Sequence, residues 1–506
     1  MTPAHSSRRI RARRGALALA QAGLSGLLIG GVAWAGTQSV VVDLADGIVL
    51  TRPATTAFEP RSTVVAVERA VLTCPGQALL GLPGARDLEV ETGALVVAAP
   101  GEVVADLPTP HGSPALGISP LAERADRESD GGTSPAVGSL VGAEAYAAAG
   151  AGTAAPGLVA SQESRADTDE VRGLATVACQ QAAPTAWLLG GGAGAGRAER
   201  LVISNPGSNP VTATVTVYGA EGRSQPPDGQ DVVVPARGRT VLLADALAPD
   251  EPSAGFAVTV DGGEVVAVLV ETVIEGTVPL GFDIVPAAQQ PEPEQVIPAV
   301  LVPQQGSGSV VLRIVNPGSS DAIGTVSVLT AAGELALPDA VVRVPAGSVV
   351  DMPIDDAPPG PVSLVVTADT PIVAAARTVV QDADGADAGW AVAQAPIAGW
   401  AGAAIPARDD TVRRLVLSAR GPGSEVEIVE RRGEESIRNV VLVPSDGTVV
   451  VPLDADAVWV RTVAESAAVV GALLSTASEG ATPAVSVLPL IAPPMLAHRS
   501  DVIPLG

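Results

Sequence analysis

The chain has 506 residues, of which 55 are acidic and 30 basic, for a net charge of −25, and every basic residue is arginine. A surface this negative repels polyanions, which excludes nucleic acid as a partner on electrostatic grounds. Only 2% of residues are aromatic, while 55 glycines and 44 prolines interrupt a chain that is 47% apolar; that excludes a helical protein and suits short valine-rich strands joined by turns, in a chain long enough for several domains.

The N-terminus reads as an export element. Arg8, Arg9, Arg11, Arg13 and Arg14 precede an apolar stretch from Gly15 to Gly36. A basic flank ahead of a hydrophobic segment stays cytoplasmic while the segment inserts, so the bulk of the chain is expected outside the membrane. Residues 15–36 would span about 33 Å as a helix, enough to cross a bilayer. Ala33-Trp34-Ala35 also fits a small-x-small cleavage site. Two outcomes stay open: a single-pass anchor in the cell membrane, or a chain secreted after cleavage.

Residues 38–185 read as an irregular, β-rich proximal domain. Val40 to Val42 and Ile48 to Leu50 look like strands, and the stretch 108–135, rich in Pro, Gly, Ser and charge, looks like a disordered loop. Cys74 and Cys179 are the only cysteines. Outside the cytoplasm they would tend to form a disulfide; two buried, reduced thiols are the bland alternative. Three histidines and two scattered cysteines make a poor zinc or thiol-catalytic set, and no cofactor motif is present. The run Gly190 to Arg197 lacks the Lys-Ser/Thr pair of a phosphate-binding loop. Its expected role is a flexible connection, with Gly190, Gly192, Gly194 and Arg197 as a candidate glycan- or protein-contacting loop.

Beyond it the sequence repeats. Leu201-Val202-Ile203-Ser204-Asn205-Pro206-Gly207 returns as Leu312-Arg313-Ile314-Val315-Asn316-Pro317-Gly318, and Val234-Pro235-Ala236 as Val344-Pro345-Ala346. A weaker third copy begins Leu415-Val416-Leu417-Ser418 and carries Ala419-Arg420-Gly421 in place of Asn-Pro-Gly. Six or seven short strands per copy predict tandem β-sandwich domains of immunoglobulin-like size at 186–290, 296–399 and 400–506. Alternation should bury Val211, Ala213, Val215 and Val217 and turn the intervening threonines outward. In each Asn-Pro-Gly, asparagine would bond its own backbone, proline fix φ, and glycine take positive φ.

Pro291 to Glu294 reads as a stiff, solvated linker, and Trp390 and Trp400 as packing between neighbouring domains. Asp382, Asp384 and Asp387, like Asp409 and Asp410, sit among Gly and Ala and read as solvated loops; hard oxygen ligands make the first three weak calcium candidates. No catalytic residue can be named. The fold class expected is therefore mainly β, an N-terminal transmembrane or signal helix over residues 1–37 followed by the sandwiches.

Cys74-Pro75-Gly76, Ala186-Trp187-Leu188-Leu189-Gly190-Gly191 after Cys179, and the Leu-x-Ile-x-Asn-Pro-Gly repeats resemble the actinobacterial exported proteins grouped as DUF5719, from about residue 38 to the end. The resemblance implies an envelope location and genes neighbouring glycosyltransferases of wall or polymer synthesis; it implies no catalytic residue. The expected function is a non-enzymatic scaffold or accessory subunit whose partner is an envelope protein such as an integral membrane glycosyltransferase. A secreted glycan-binding or adhesive module and an unrecognised carbohydrate-active enzyme are the alternatives.

Overall fold

The computed structural model describes residues 39–43, 47–51, 62–77, 90–123, 134–142, 144–406, 410–463 and 468–500. The chain divides into two units, residues 1–63 with 498–506, and residues 64–497. In the first, Ser39–Asp43 and Gly47–Thr51 pair as an antiparallel hairpin, where the two short strands were expected. The expected export helix lies outside the described residues. Among the described residues, no helix is long and apolar enough to cross a membrane.

The second unit is built from one sandwich plan used repeatedly. In sandwich II the alternation of Val211–Gly219 buries Val211, Ala213, Val215 and Val217, as expected for a strand with one inward face. Its eight strands form two antiparallel sheets. In one, Thr185–Leu189 (first) pairs with Gly255–Asp261 (sixth), which pairs with Val211–Gly219 (third), and the third with the fourth, made of Gly222–Ser224 and Val232–Val234. In the other, Gly238–Leu243 (fifth) pairs with Arg197–Asn205 (second), then Val266–Glu275 (seventh), then Val278–Val285 (eighth). Leu188, Val215 and Val258 of one sheet pack against Leu201, Ile203 and Leu269 of the other.

Sandwich III repeats this order, with Gly360–Gln381 serving as sixth and seventh strands in one continuous run that passes from sheet to sheet. Sandwich IV repeats it from Ala401–Ala404 to Val485–Pro489. The segments at 201, 312 and 415 are thus the second strand of their sandwiches, which is what the internal repeat required. The connectivity differs from that of an immunoglobulin domain. In a constant-type immunoglobulin domain the first strand lies beside the second and the seventh beside the sixth; here the first lies beside the sixth and the seventh beside the second. Glu292–Val302 is the first strand of sandwich III rather than a linker: its prolines fall on an edge strand, where a missing amide is tolerated.

The proximal region is not irregular. Arg69–Cys74, Glu91–Val97, Ala115–Pro120, Ala136–Ser139, Tyr146–Ala151, Val159–Asp167 and Arg172–Ala178 pair in the order expected of the first, second, third, fifth, sixth, seventh and eighth strands of the same plan. This sandwich I has its own core around Leu72, Val96, Ala148 and Ala160. The third strand, Ala115–Pro120, falls inside the stretch expected to be disordered.

The four sandwiches close into a ring. Their eighth strands line its axis: Arg172–Ala178 packs on Val278–Val285, that on Ala386–Val392, that on Val485–Pro489, and the last returns to Arg172–Ala178. Apolar clusters fill the contacts. Val315, Val349 and Trp390 of III join the core of II, and Val416, Leu474 and Val487 of IV join that of III. Ala175 and Val177 of I meet Val268 and Phe282 of II. The seam between IV and I, which no short chain connection joins, is sealed by Trp400, Ala404, Val429 and Trp459 against Leu95, Val97 and Val159.

Candidate functional site

The residues that could carry chemistry lie at the contacts between sandwiches. The glycine-rich run is one example. Gly190, Gly191 and Gly192 are buried, and only the tip at Gly194 to Gly196 is exposed. Gly191 has φ +73°, and a Cβ there would fall 1.6 Å from Glu199 Oε2. The carbonyl of Gly191 accepts from Arg313 Nη1 of sandwich III at 2.7 Å and from Arg197 Nη1 at 3.2 Å, and the amide of Gly192 donates to Glu199 Oε1. The base of the run is a clasp between II and III, with the tip left exposed: a string of glycines here marks close backbone approach, which looks in the sequence like flexibility. Gly191→Ala should therefore destabilise by about 3 kcal/mol, from overpacking and an unfavourable φ together, measured as a shift in denaturant midpoint; Gly194→Ala, with open space around it, is the neutral control.

Arg313 occupies the second strand of III and is almost fully buried. Its Nε and Nη2 form a fork on Asp351, each bond 2.8 Å, and Nη1 also reaches Ala254 O at 3.1 Å. Its guanidinium lies 5.1 Å from the centre of the Trp390 ring. Trp390 in turn donates from Nε1 to Glu271 Oε2 at 2.6 Å and from its backbone amide to Asp283 Oδ2 at 2.7 Å. Glu271 lies directly opposite Glu199 across the second and seventh strands of II, with Arg377 Nη2 3.5 Å from its other oxygen.

Two like charges in a buried cross-strand pair oppose each other, so one proton is favourably retained. Burial, and then the charge of Glu271, push Glu199 up to about 7. Burial also raises Asp283, against the pull of the Trp390 amide, with the charge of Asp387 adding to the rise. A carboxyl whose folded pKa is raised stabilises the fold below that pKa and loses the contribution as pH climbs through it. The thermal midpoint should accordingly fall between about pH 4.5 and 7.5, from the ordinary carboxyl value to the raised one. The fork of Arg313 holds Asp351 below its ordinary range despite burial, but that works in the opposite sense and at more acidic pH. Glu199→Gln, which keeps an acceptor for Gly192, should remove on the order of 3 kcal/mol of the alkaline loss; an unchanged slope of stability against pH would reject this assignment.

The three calcium candidates do not converge. Asp382 Oδ1 accepts the amides of Asp384 at 2.7 Å and Gly385 at 3.2 Å in its own turn. Asp387 is not in a solvated loop but fully buried on the axis. Its Oδ1 accepts from Ala388 N at 2.8 Å and Phe282 N at 3.4 Å, and its Oδ2 from Val485 N at 3.0 Å and Leu174 N at 3.2 Å. One backbone amide from each sandwich thus points at a single carboxylate. Gly173 and Gly281 make room for it: a Cβ on Gly173 would lie 2.5 Å from Asp387 Oδ1, and one on Gly281 2.6 Å from Ala388 N. Among the described residues, no group of three or more potential metal ligands gathers. Asp410 pairs with Arg165 across the seam, while Asp409 lies outside the described residues.

Trp390 and Trp400 both pack between sandwiches, the first between II and III and the second at the IV–I seam under Arg461. Asn205 and Asn316 anchor their turns identically, with Nδ2 donating to Asn209 O and Ser320 O at 2.8 Å and Oδ1 accepting from Gly207 and Gly318. Neither glycine takes positive φ. Each instead leaves room for the asparagine oxygen, which would stand 2.9 Å and 3.0 Å from a Cβ. Where sandwich IV has Ala419-Arg420-Gly421, Asp446 supplies the missing acceptor to Gly421 N and Arg420.

Residues 135–484 match the family model described as "Family of unknown function (DUF5719)". The chain belongs to the DUF5719 family. The match starts at the fifth strand of sandwich I and ends just before the last axial strand, so the DUF5719 region takes in nearly all of the ring's II–III–IV arc. No curated protein matches this DUF5719 chain. Among solved structures, "Crystal Structure of Thermotoga maritima 1070" is 13% identical with a TM-score of 0.19, covering 21% of this chain and 96% of the other. "Biofilm associated protein - BSP domain" is 9% identical with a TM-score of 0.12, covering 84% of this chain and 96% of the other. Neither likeness is close enough to bear on fold or function.

Proposed function

We propose that this DUF5719 protein is a non-enzymatic extracytoplasmic scaffold or accessory subunit of the cell envelope, held at the membrane through residues 15–36 and assisting an integral membrane glycosyltransferase of wall or polysaccharide synthesis. The observation that carries this reading is where the buried charged residues are spent. Arg313, Glu271 and Asp387 hold neighbouring sandwiches together, which suits a rigid body presenting its outer surface to a partner. The Cys74–Cys179 disulfide supports an oxidising compartment. In this reading the sandwiches are immunoglobulin-like spacers in size, though not in connectivity, and the arginine-flanked N-terminal segment is a retained anchor.

The test is purification of the full-length protein from detergent-solubilised membranes. A stoichiometric glycosyltransferase in the eluate is the expected result. Protein recovered alone, binding purified envelope polysaccharide, would overturn the scaffold in favour of a glycan-binding module.

A further inference from the structure

The axial carboxylate is satisfied in a way that depends on its charge. An ionised carboxylate has about four acceptor positions and no donor, and at Asp387 all four positions meet N–H groups, two on each oxygen. Add a proton, and one oxygen becomes a hydroxyl. That oxygen then accepts poorly, and its hydrogen points into a nest made of donors. At least one sandwich must give up its bond.

We propose that Asp387 is a proton-operated clasp: ionised, it binds one amide from each of the four sandwiches, and protonated, it releases part of that set, so that the ring is looser at its axis in acid.

Few charged groups face it. Sandwich II contributes Asp283, which is itself bonded to Trp390 N and Ile284 N. Sandwich I contributes Arg172, which reaches Asp384 O at 3.3 Å and Asp167 Oδ1 at 3.0 Å. From sandwich IV comes the uncharged Ser486, bonded to Thr176. Asp382 and Asp384 lie on the exposed turn of its own sandwich. With no cation in hydrogen-bond contact among the described residues, burial pushes Asp387 up to about 7 even against its four amides, which brings the change into the range met outside a cell.

The clasp has a signature that ordinary burial lacks. Because the unfolded chain holds this proton only weakly, acidification from pH 8 to pH 5.5 should raise the global thermal midpoint. Over the same interval, hydrogen-exchange protection of peptides covering Leu174, Phe282 and Val485, corrected for intrinsic rates, should fall about tenfold in at least one of them, the worth of one bond to a charged acceptor. The full-length protein is the sample.

Asp387→Asn places a permanent NH₂ donor among the amides, so D387N should show the low protection at both pH values. Asp283→Asn removes the neighbouring acid and should leave the pH-dependent loss intact. Axial protection that is constant or rises with the midpoint overturns the clasp. So does abolition of the effect in D283N, a comparison that still decides the matter if D387N does not fold.

Discussion

Trp459→Ala should lower the unfolding free energy by about 4 kcal/mol, the range for removing a fully buried aromatic side chain, and the damage should be confined at first to one face of the ring. Trp459 is 0% exposed and sits in the sixth strand of sandwich IV. Its ring packs with Leu95, Val97 and Val159 of sandwich I, and its Nε1 donates to Gly157 O at 2.8 Å. Short connections join I to II, II to III and III to IV, whereas IV meets I only through side chains and a few backbone bonds. Among these are Arg431 Nη1 to Ala98 O at 2.7 Å and Ser161 Oγ to Ala404 O at 2.7 Å. A cavity here has no short chain connection to hold its walls together, so hydrogen exchange should rise in 91–97 and 457–462 before it rises at the II–III contact. Trp459→Phe keeps most of the packing and should cost only about 1–2 kcal/mol for the lost bond. A Trp459→Ala variant within about 1 kcal/mol of wild type would mean that the seam is not closed in solution.

Much of this ring could be read in one dimension, and the parts that could not share a cause. The repeats at 201, 312 and 415 were legible because strand alternation and turn chemistry are local, and Asn-Pro-Gly or its substitute ends the second strand in all three. The fourth copy was not, because sandwich I lacks those marks. Its seventh strand carries Ser161-Gln162-Glu163-Ser164, all buried, and a run of polar residues does not read as core. Gln162 shows why it is tolerated: its amide both accepts from Gly76 N and donates to Gly76 O, completing a backbone pairing with a side chain. Asp387 was misplaced for a related reason. An acid between Ala386 and Ala388 reads as solvated unless its partners are known, and those partners are amides at 174, 282 and 485. The local hint is glycine inside a strand, at Gly173 and Gly281, which signals close approach without saying of what. Arg313 stood in plain view in the second repeat, but its value as a clasp depends on Gly191 O and Trp390, which belong to different segments.

Replacing Cys74 and Cys179 together by serine should remove about 4–5 kcal/mol, the chain-entropy value for a closed loop of roughly 100 residues, and the position of the bond says which part of the ring will fail. The disulfide ties the end of the first strand of sandwich I to the chain just beyond its eighth. In sandwiches II and IV the same inner edge is held by backbone bridges alone, Trp187 with Ala288 and Gly402 with Ile491. Sandwich I has the equivalent bridge, Thr73 with Gln180, and adds the covalent link. That reinforcement falls beside the seam, where sandwich I must keep its seventh strand in place for Ala404 and Arg413 of sandwich IV. Reduction of the wild-type protein should therefore lower the denaturant midpoint and expose 159–167 to proteolysis, while leaving 308–315 protected. The C74S/C179S variant should show the same lowered midpoint with or without reductant. A reductant-dependent shift that survives in the double variant would place the sensitivity elsewhere, and a wild-type shift below about 1 kcal/mol would mean that the backbone bridges suffice for sandwich I as they do for the others.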